Sequence, residues 1–106
     1  SSEKEYALRI FENQLMQELG YGLDFKDDIE GNPIKSNSLY DFIEDQGFIA
    51  QTEGKILGEI LLNIITPDKV IPSSEGLNTL KKLNRKRLKP LLGDKPLKSK
   101  ELFFVN

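Results

Sequence analysis

Apolar residues recur three or four positions apart in the first stretch of the chain. This spacing places side chains on one face of an α-helix, and a glycine in the left-handed conformation often ends such a helix. Gly20 directly follows Leu19, the last apolar residue of this series. The pattern predicts an amphipathic helix over residues 3–19, followed by a short extended segment, "YGLDF". The side chains expected to face the core are Tyr6, Leu8, Phe11, Leu15 and Leu19.

The middle of the chain is predicted to hold a loop and then a β-hairpin. Residues 26–38, "KDDIEGNPIKSNS", are mostly polar and contain Gly31, Asn32 and Pro33 in succession, which is typical of a turn. Two short apolar runs follow, at residues 39–43 and 48–50, on either side of "EDQG". Apolar runs of this length around a glycine-containing turn indicate two paired strands.

Two further helices are predicted downstream. The segment "TEGKILGEILLNII" begins behind Thr52, a residue type that caps helices, and stops before Pro67. The next helix opens at Ser73 or Ser74 and runs to Gly93, and Pro90 is expected to bend its last turn. The helix before Pro67 is expected to bury Ile56, Leu57, Ile60, Leu61 and Ile64. The helix that ends at Gly93 is expected to bury Leu77, Leu80, Leu83 or Asn84, Leu88 and Leu91. A last short helix is expected in "LKSKELFFV", burying Leu97, Leu102 and Phe103.

These elements predict a mainly α-helical fold with a small β-hairpin lobe. With 106 residues, 38% of them apolar, the chain is long enough for one domain with a modest core. It does not begin with methionine, so we expect a piece of a longer protein. No apolar run approaches the roughly 20 residues of a membrane span, and the N-terminus lacks the layout of a signal peptide. We therefore expect a cytoplasmic protein with no membrane partner.

Composition limits the chemistry that the chain can perform. It contains neither cysteine nor histidine. Disulfides, thiolate nucleophiles, imidazole acid–base catalysis and the common zinc sites are therefore excluded. We expect no cofactor, no bound metal and no enzymatic activity. An enzyme that uses carboxylate or lysine chemistry is the catalytic alternative that remains.

The densest group of carboxylates lies in the segment after the first helix. An EF-hand loop needs glycine at its sixth position and glutamate at its twelfth, but counting from Asp24 these positions hold Ile29 and Lys35. The match to a calcium loop fails. We interpret the group as solvated loop acids: Asp24, Asp27, Asp28 and Glu30.

Charge is distributed unevenly along the chain. Residues 1–80 hold 15 acidic and 6 basic side chains, a net charge of −9, whereas residues 81–100 hold nine basic side chains and one acidic, a net charge of +8. The overall net charge of −2 hides this block. The cations are Lys81, Lys82, Arg85, Lys86, Arg87, Lys89, Lys95, Lys98 and Lys100.

On a helix, several of these cations share one face opposite the leucines. Lys81, Lys82, Arg85 and Lys89 fall three to four residues apart, with Lys86 beside them. Like charges at this spacing destabilise a helix by about 0.2–0.5 kcal/mol per pair, so a compensating role is expected. Phosphate backbones are the acidic partner that such a face suits, and the absence of interleaved aromatic residues favours backbone contact without base readout. The alternative is a solvated helix face balanced by the acidic half of the chain.

The segments "FENQLMQELGYGLDF", residues 11–25, and "RLKPLLGDKPLKSKELF", residues 87–103, carry a family resemblance. They resemble the C-terminal region of the bacterial recombination mediator RecO family, in which a helix ends in a Leu-Gly-Tyr-Gly turn. The family's closing segment is close to Leu-Gly-Gly-Lys-Pro-Leu-Lys-Ser-Arg-Glu-Leu, and here Asp94 and Lys100 replace its second glycine and its arginine. The segment "GFIA" lies between the two in the expected order.

The chain departs from the family pattern in two respects. Many members hold a structural zinc through two Cys-x-x-Cys pairs, and the corresponding residues here, 28–31 and 50–53, contain no cysteine. The resemblance is to a metal-free branch, in which packing of Ile29, Phe42, Phe48 and Ile49 is expected to hold the lobe together. Members also begin with an OB-fold domain that this chain lacks. Residues 1–106 are therefore expected to form a single C-terminal domain.

The resemblance implies a role in DNA repair without enzymatic turnover. Members of the family bind single- and double-stranded DNA, anneal complementary strands, dock on the acidic C-terminal tail of the single-strand-binding protein, and work with RecR to load RecA. Three lysines lie in the matched closing motif and one just before it. Together with the helical face, the expected DNA-binding residues are Lys81, Lys82, Arg85, Lys86, Lys89, Lys95, Lys98 and Lys100.

The resemblance also assigns a role to Arg9. This residue matches a family arginine beside the pocket for the tail of the single-strand-binding protein. An acidic tail that ends in an apolar residue and a free carboxylate needs a cation beside an apolar groove. The alternative for Arg9 is a surface ion pair with Glu5 or Glu12. For the whole domain, the alternative is a protein-docking module with no DNA binding of its own.

Overall fold

A computed structural model of the chain describes residues 1–92, so the predicted last helix lies outside the described residues. The elements in chain order are α1 (Ser2–Glu18), β1 (Leu39–Ile43), β2 (Gly47–Ala50), β3 (Ile56–Leu57), α2 (Gly58–Ile64) and α3 (Ser74–Leu92). The three strands form one antiparallel sheet in the order β2-β1-β3. The described domain mixes helix and sheet, so the prediction of a mainly α-helical fold is confirmed only in part.

The C-terminus of α1 ends as its sequence predicts. Gly20 adopts a φ of 92°, in the left-handed region that glycine tolerates. Its N–H donates to the Gln17 carbonyl (3.1 Å), and the Tyr21 N–H donates to the Met16 carbonyl (2.8 Å). These two bonds form a Schellman motif, which satisfies carbonyls that the helix leaves free. The predicted helix and its glycine stop are confirmed.

The buried face of α1 differs from the predicted one. Leu8, Phe11 and Leu19 are 46%, 59% and 53% exposed. Apolar residues occupy more than one arc of this helix, and helical spacing alone does not tell which arc is buried. Packing against α3 decides it. The buried residues of α1 are Tyr6, Arg9, Glu12 and Met16.

The predicted hairpin is confirmed. β1 and β2 pair antiparallel, with Tyr40 opposite Ala50 at one end and Ile43 opposite Gly47 at the other. The buried Phe48 ring has its centroid 5.8 Å from those of both Phe25 and Phe42. These aromatic contacts tie the hairpin to the preceding loop.

The start of the second predicted helix was wrong. Ile56 and Leu57 form β3, which pairs with the free edge of β1, and α2 begins only at Gly58. The Gly58 N–H donates to the Ser38 carbonyl (2.8 Å), and a Cβ here would collide with the Lys35 carbonyl oxygen. This close approach of the loop backbone holds the preceding residues extended. Apolar spacing does not reveal β3, because a two-residue strand that leads into a helix has the same pattern as one further helical turn.

The third helix follows its prediction closely. Ser73 caps it, because its Oγ accepts a hydrogen bond from the Gly76 N–H (3.1 Å). Pro90 lies inside the last turn. Both alternatives for the inward position, Leu83 and Asn84, are buried. The buried residues are Gly76, Leu77, Leu80, Leu83, Asn84 and Leu88, with Leu91 half-buried. No helix within residues 1–92 is long and apolar enough to cross a membrane.

The loop acids stabilise local turns. Asp24 Oδ1 accepts hydrogen bonds from the N–H groups of Lys26 (2.8 Å) and Asp27 (3.1 Å). Asp28 Oδ1 accepts two more from backbone groups in its own turn. This is the role that aspartate commonly takes in loops. Within residues 1–92, no three potential metal-ligating side chains are grouped to hold an ion.

Candidate nucleic-acid interface

Four exposed cations lie along the outer face of α3, and we call them the basic stripe: Lys82, Arg85, Lys86 and Lys89. Lys81, also expected in this set, is half-buried at its edge. The leucines on the opposite side of α3 are buried against the core, and they fix the rotation of the helix. The stripe is therefore presented to solvent on a rigid element.

The stripe is not neutralised by the described part of the chain. Within residues 1–92 the only ion pair joins Arg9 to Glu12. No carboxylate of residues 1–92 is ion-paired with the stripe, although Asp41, Glu44 and Asp45 line surface pockets beside its cations. The positive charge of the stripe remains available to an external partner.

Arg87 belongs to the same block in sequence but has a different role. Its guanidinium donates to Asn13 Oδ1 (2.8 Å) and to the Tyr21 carbonyl oxygen (3.0 Å). Burial lowers the pKa of Arg87 to about 10, so the group stays charged at neutral pH. It clamps the end of α3 against the end of α1. The sequence signal is its position on the leucine side of the helix.

A groove of about 700 Å³ runs between α3 and the sheet, and we call it the basic groove. Three stripe cations line it from α3, and Lys55 lines it from the residue before β3. Its apolar lining comes from Phe42, Ile56 and Leu83. Asp41 also lines it, and Asp41 Oδ1 accepts a hydrogen bond from the Lys55 N–H (3.1 Å).

Sequence reasoning missed Lys55. It lies in the acidic part of the chain, within the segment that its apolar spacing predicts to be helical. No local signal identifies it, because only the pairing of β3 with β1 brings Lys55 opposite the cations of α3.

Arg9 lies in a buried polar contact between α1 and α3. Its side chain is 10% exposed, and its Nε lies 3.2 Å from Glu12 Oε1. Asn84 Nδ2 donates to the Arg9 carbonyl oxygen (3.1 Å) and to Glu12 Oε1 (3.0 Å). Of the two partners considered from the sequence, the structure pairs Arg9 with Glu12, in the interior instead of on the surface. Its role in binding a partner's tail stays a prediction.

The remaining predicted cations, Lys95, Lys98 and Lys100, lie outside the described residues. Their contribution to DNA binding also stays a prediction. The structure thus brings together the α3 cations, adds Lys55 to them and separates Arg9 and Arg87 from them.

No family model matches the chain. It is 41% identical over 98 residues to the DNA repair protein RecO of Pseudoalteromonas translucida strain TAC 125, covering 92% of this chain and 42% of that protein. It is 40% identical over 103 residues to RecO of Yersinia enterocolitica, covering 93% and 42%. It is 40% identical over 107 residues to RecO of Vibrio cholerae, covering 97% and 44%.

These comparisons confirm the resemblance that the two end segments indicated. They extend it over 92% to 97% of the chain, including the residues between those segments. The chain spans less than half the length of the curated relatives that it matches. It is a homologue of the bacterial DNA repair protein RecO across a region that makes up 42% to 44% of those relatives.

Proposed function

We propose that the chain is the C-terminal domain of a DNA repair and recombination mediator, and that its basic stripe binds the DNA backbone regardless of sequence. The observation that carries this is the stripe itself: four exposed cations on one rigid helix face, with no carboxylate of residues 1–92 paired to them. The homology to DNA repair proteins supports nucleic acid as the acidic partner.

The strength of such contacts follows from counterion release. Each phosphate that a lysine or arginine neutralises contributes about 0.9 to the slope of log affinity against log salt for duplex DNA. Four contacts therefore predict a slope of about −3.6. The stripe carries no aromatic side chain, so its four cations are expected to position DNA without reading base edges.

In the longer protein, the proposed role is that of a non-enzymatic mediator in the cytoplasm. It would act with RecR and the single-strand-binding protein to load RecA onto single-stranded DNA. Lys95, Lys98 and Lys100 would extend the cationic surface beyond α3. Arg9, positioned by its ion pair with Glu12, would contribute to binding of the partner's tail.

Charge reversal on the stripe tests the proposal. We expect Lys82→Glu, Arg85→Glu and Lys89→Glu together to weaken binding of the 106-residue chain equally across DNA sequences and to flatten the salt slope by about 2–3. Fluorescence anisotropy of labelled DNA across a salt series measures both. The matched control reverses three exposed lysines elsewhere: Lys4, Lys26 and Lys35. Unchanged binding in the stripe variant, or an equal loss in the control, would contradict the proposal.

A second candidate function is protein docking. The exposed apolar face of α1, with Leu8, Phe11 and Leu19, favours it, because an exposed apolar patch often marks an interaction surface. A labelled acidic peptide with an apolar C-terminal residue, titrated in the same way, separates the two functions. Peptide binding without DNA binding would make the domain a docking module. DNA binding with a steep salt slope would support the first function.

A further inference from the structure

The basic groove has cations on both of its walls, and the two walls come from different elements. Lys82, Arg85 and Lys86 project from α3, while Lys55 stands on the sheet side. Three of these four cations also belong to the basic stripe. A DNA strand held on the stripe therefore passes the mouth of the groove, and this inference rests on the proposed function.

Besides its cations, the groove is lined by apolar side chains, which contact with phosphate does not require. Phe42 and Ile56 are half-buried, so part of each faces the open volume, and Leu83 lies behind them. The Phe42 ring packs at an interplanar angle of 58° against the buried Phe48, which holds it in place. A fixed aromatic ring that lines the same groove as four cations suits the face of a nucleobase, and such stacking is worth about 1–3 kcal/mol per base.

Asp41 determines how a nucleotide would lie in the groove. Its carboxylate lines the same space and repels phosphate, although its Oδ1 accepts the Lys55 N–H. The phosphates of a strand are therefore best placed on Lys82 and Arg85 from one wall and Lys55 from the other. The base then points inward toward Phe42, where a carboxylate oxygen can accept hydrogen bonds from amino groups on its edge.

From this arrangement we infer that the basic groove is a binding site for an unpaired nucleotide, and that it gives the domain a preference for single-stranded over double-stranded DNA. In a duplex the bases are stacked inside the helix, so only phosphates reach the protein. A duplex thus contacts the stripe but not Phe42. A single strand contacts both, and Lys55 neutralises a phosphate only when the strand enters the groove.

Two variants of the 106-residue chain test this inference. Lys55→Ala is expected to weaken binding of an oligothymidine several-fold and reduce its salt slope by about 0.7, with duplex binding unchanged. Phe42→Leu keeps the lining apolar but removes the stacking surface, so we expect about a fivefold or greater loss for the single strand alone. Lys35→Ala, which removes an exposed lysine outside the groove, is the matched control. Urea unfolding of each variant ensures that only folded protein is compared.

A base analogue reports the insertion directly. 2-Aminopurine placed within the oligothymidine should change its fluorescence when the wild-type chain saturates it, and most of this change should be absent with Phe42→Leu. The groove inference is overturned if Lys55→Ala and Phe42→Leu lose affinity equally for single strand and duplex, or lose affinity for neither. Stripe reversal that abolishes DNA binding while Lys55→Ala and Phe42→Leu change nothing leaves the proposed function standing without it. DNA binding that is insensitive to stripe reversal refutes the proposed function itself.

Discussion

The buried polar contact between α1 and α3 makes a specific prediction about Asn84. Its side chain is fully buried, and its amide donates to Glu12 Oε1 and to the Arg9 carbonyl oxygen. In the interior, the Glu12 carboxylate thus depends on one guanidinium and one amide for its stabilisation. Replacing Asn84 with alanine removes the amide donor. Replacing it with aspartate puts a second carboxylate in its place.

The size of each effect follows from these contacts. Asn84→Ala loses a hydrogen bond to a charged group, about 1.5–3 kcal/mol, and one to a carbonyl, about 0.5–1.5 kcal/mol. It also removes Asn84 Oδ1, which accepts no hydrogen bond from residues 1–92, and relief of that cost offsets part of the loss. We expect a net destabilisation of about 1–3 kcal/mol. Asn84→Asp is expected to cost about 3–5 kcal/mol, since it buries an uncompensated charge.

Urea denaturation of the 106-residue chain measures these differences. The deficit of Asn84→Asp should shrink as the pH falls toward the ordinary aspartate pKa of about 3.9, because the crowded carboxyl pair keeps a proton in the folded state that the unfolded state releases. Asn78→Asp, an exposed position on the same helix, is the control and should change stability little. The reasoning fails if the Asn84 and Asn78 aspartate variants are equally stable, or if the deficit does not depend on pH.

Three further predictions concern the core, the loop contact and the pH dependence of stability. Met16→Ala should cost about 2–5 kcal/mol and Phe11→Ala less than about 1 kcal/mol, because Met16 is fully buried and Phe11 is 59% exposed; equal costs in urea unfolding would contradict the observed burial of α1. Gly58→Ala should speed amide hydrogen exchange in β3 and α2, because the added Cβ collides with a loop carbonyl. Burial raises the pKa of the Tyr6 hydroxyl, which donates to a carbonyl at the end of α2 (3.0 Å). The advantage of wild type over Tyr6→Phe, about 0.5–1.5 kcal/mol, is therefore expected below about pH 10 and lost as the pH rises through the folded pKa; an advantage unchanged at high pH would refute this.

Features that depend on neighbouring residues could be predicted from the sequence. Gly20 ends α1 and Ser73 starts α3 because each acts on backbone groups within a few residues of itself. The two short apolar runs around a glycine-containing turn indicated the hairpin. The leucine spacing of α3 determined which of its sides is buried, and with it the outward direction of the basic stripe.

Features that depend on distant segments were decided by the tertiary structure. Arg9 and Glu12 are buried against α3, where Asn84, more than seventy positions away, donates hydrogen bonds to the Glu12 carboxylate and to the Arg9 carbonyl oxygen. β3 exists only because an edge of β1 is free to pair with it. Lys55 joins the α3 cations through that pairing. The sequence by itself therefore determined the three helices, the hairpin and the charged face. The packing between elements decided where β3 ends and α2 begins, which arc of α1 is buried and where the groove forms, since those choices depend on contacts that no local pattern contains.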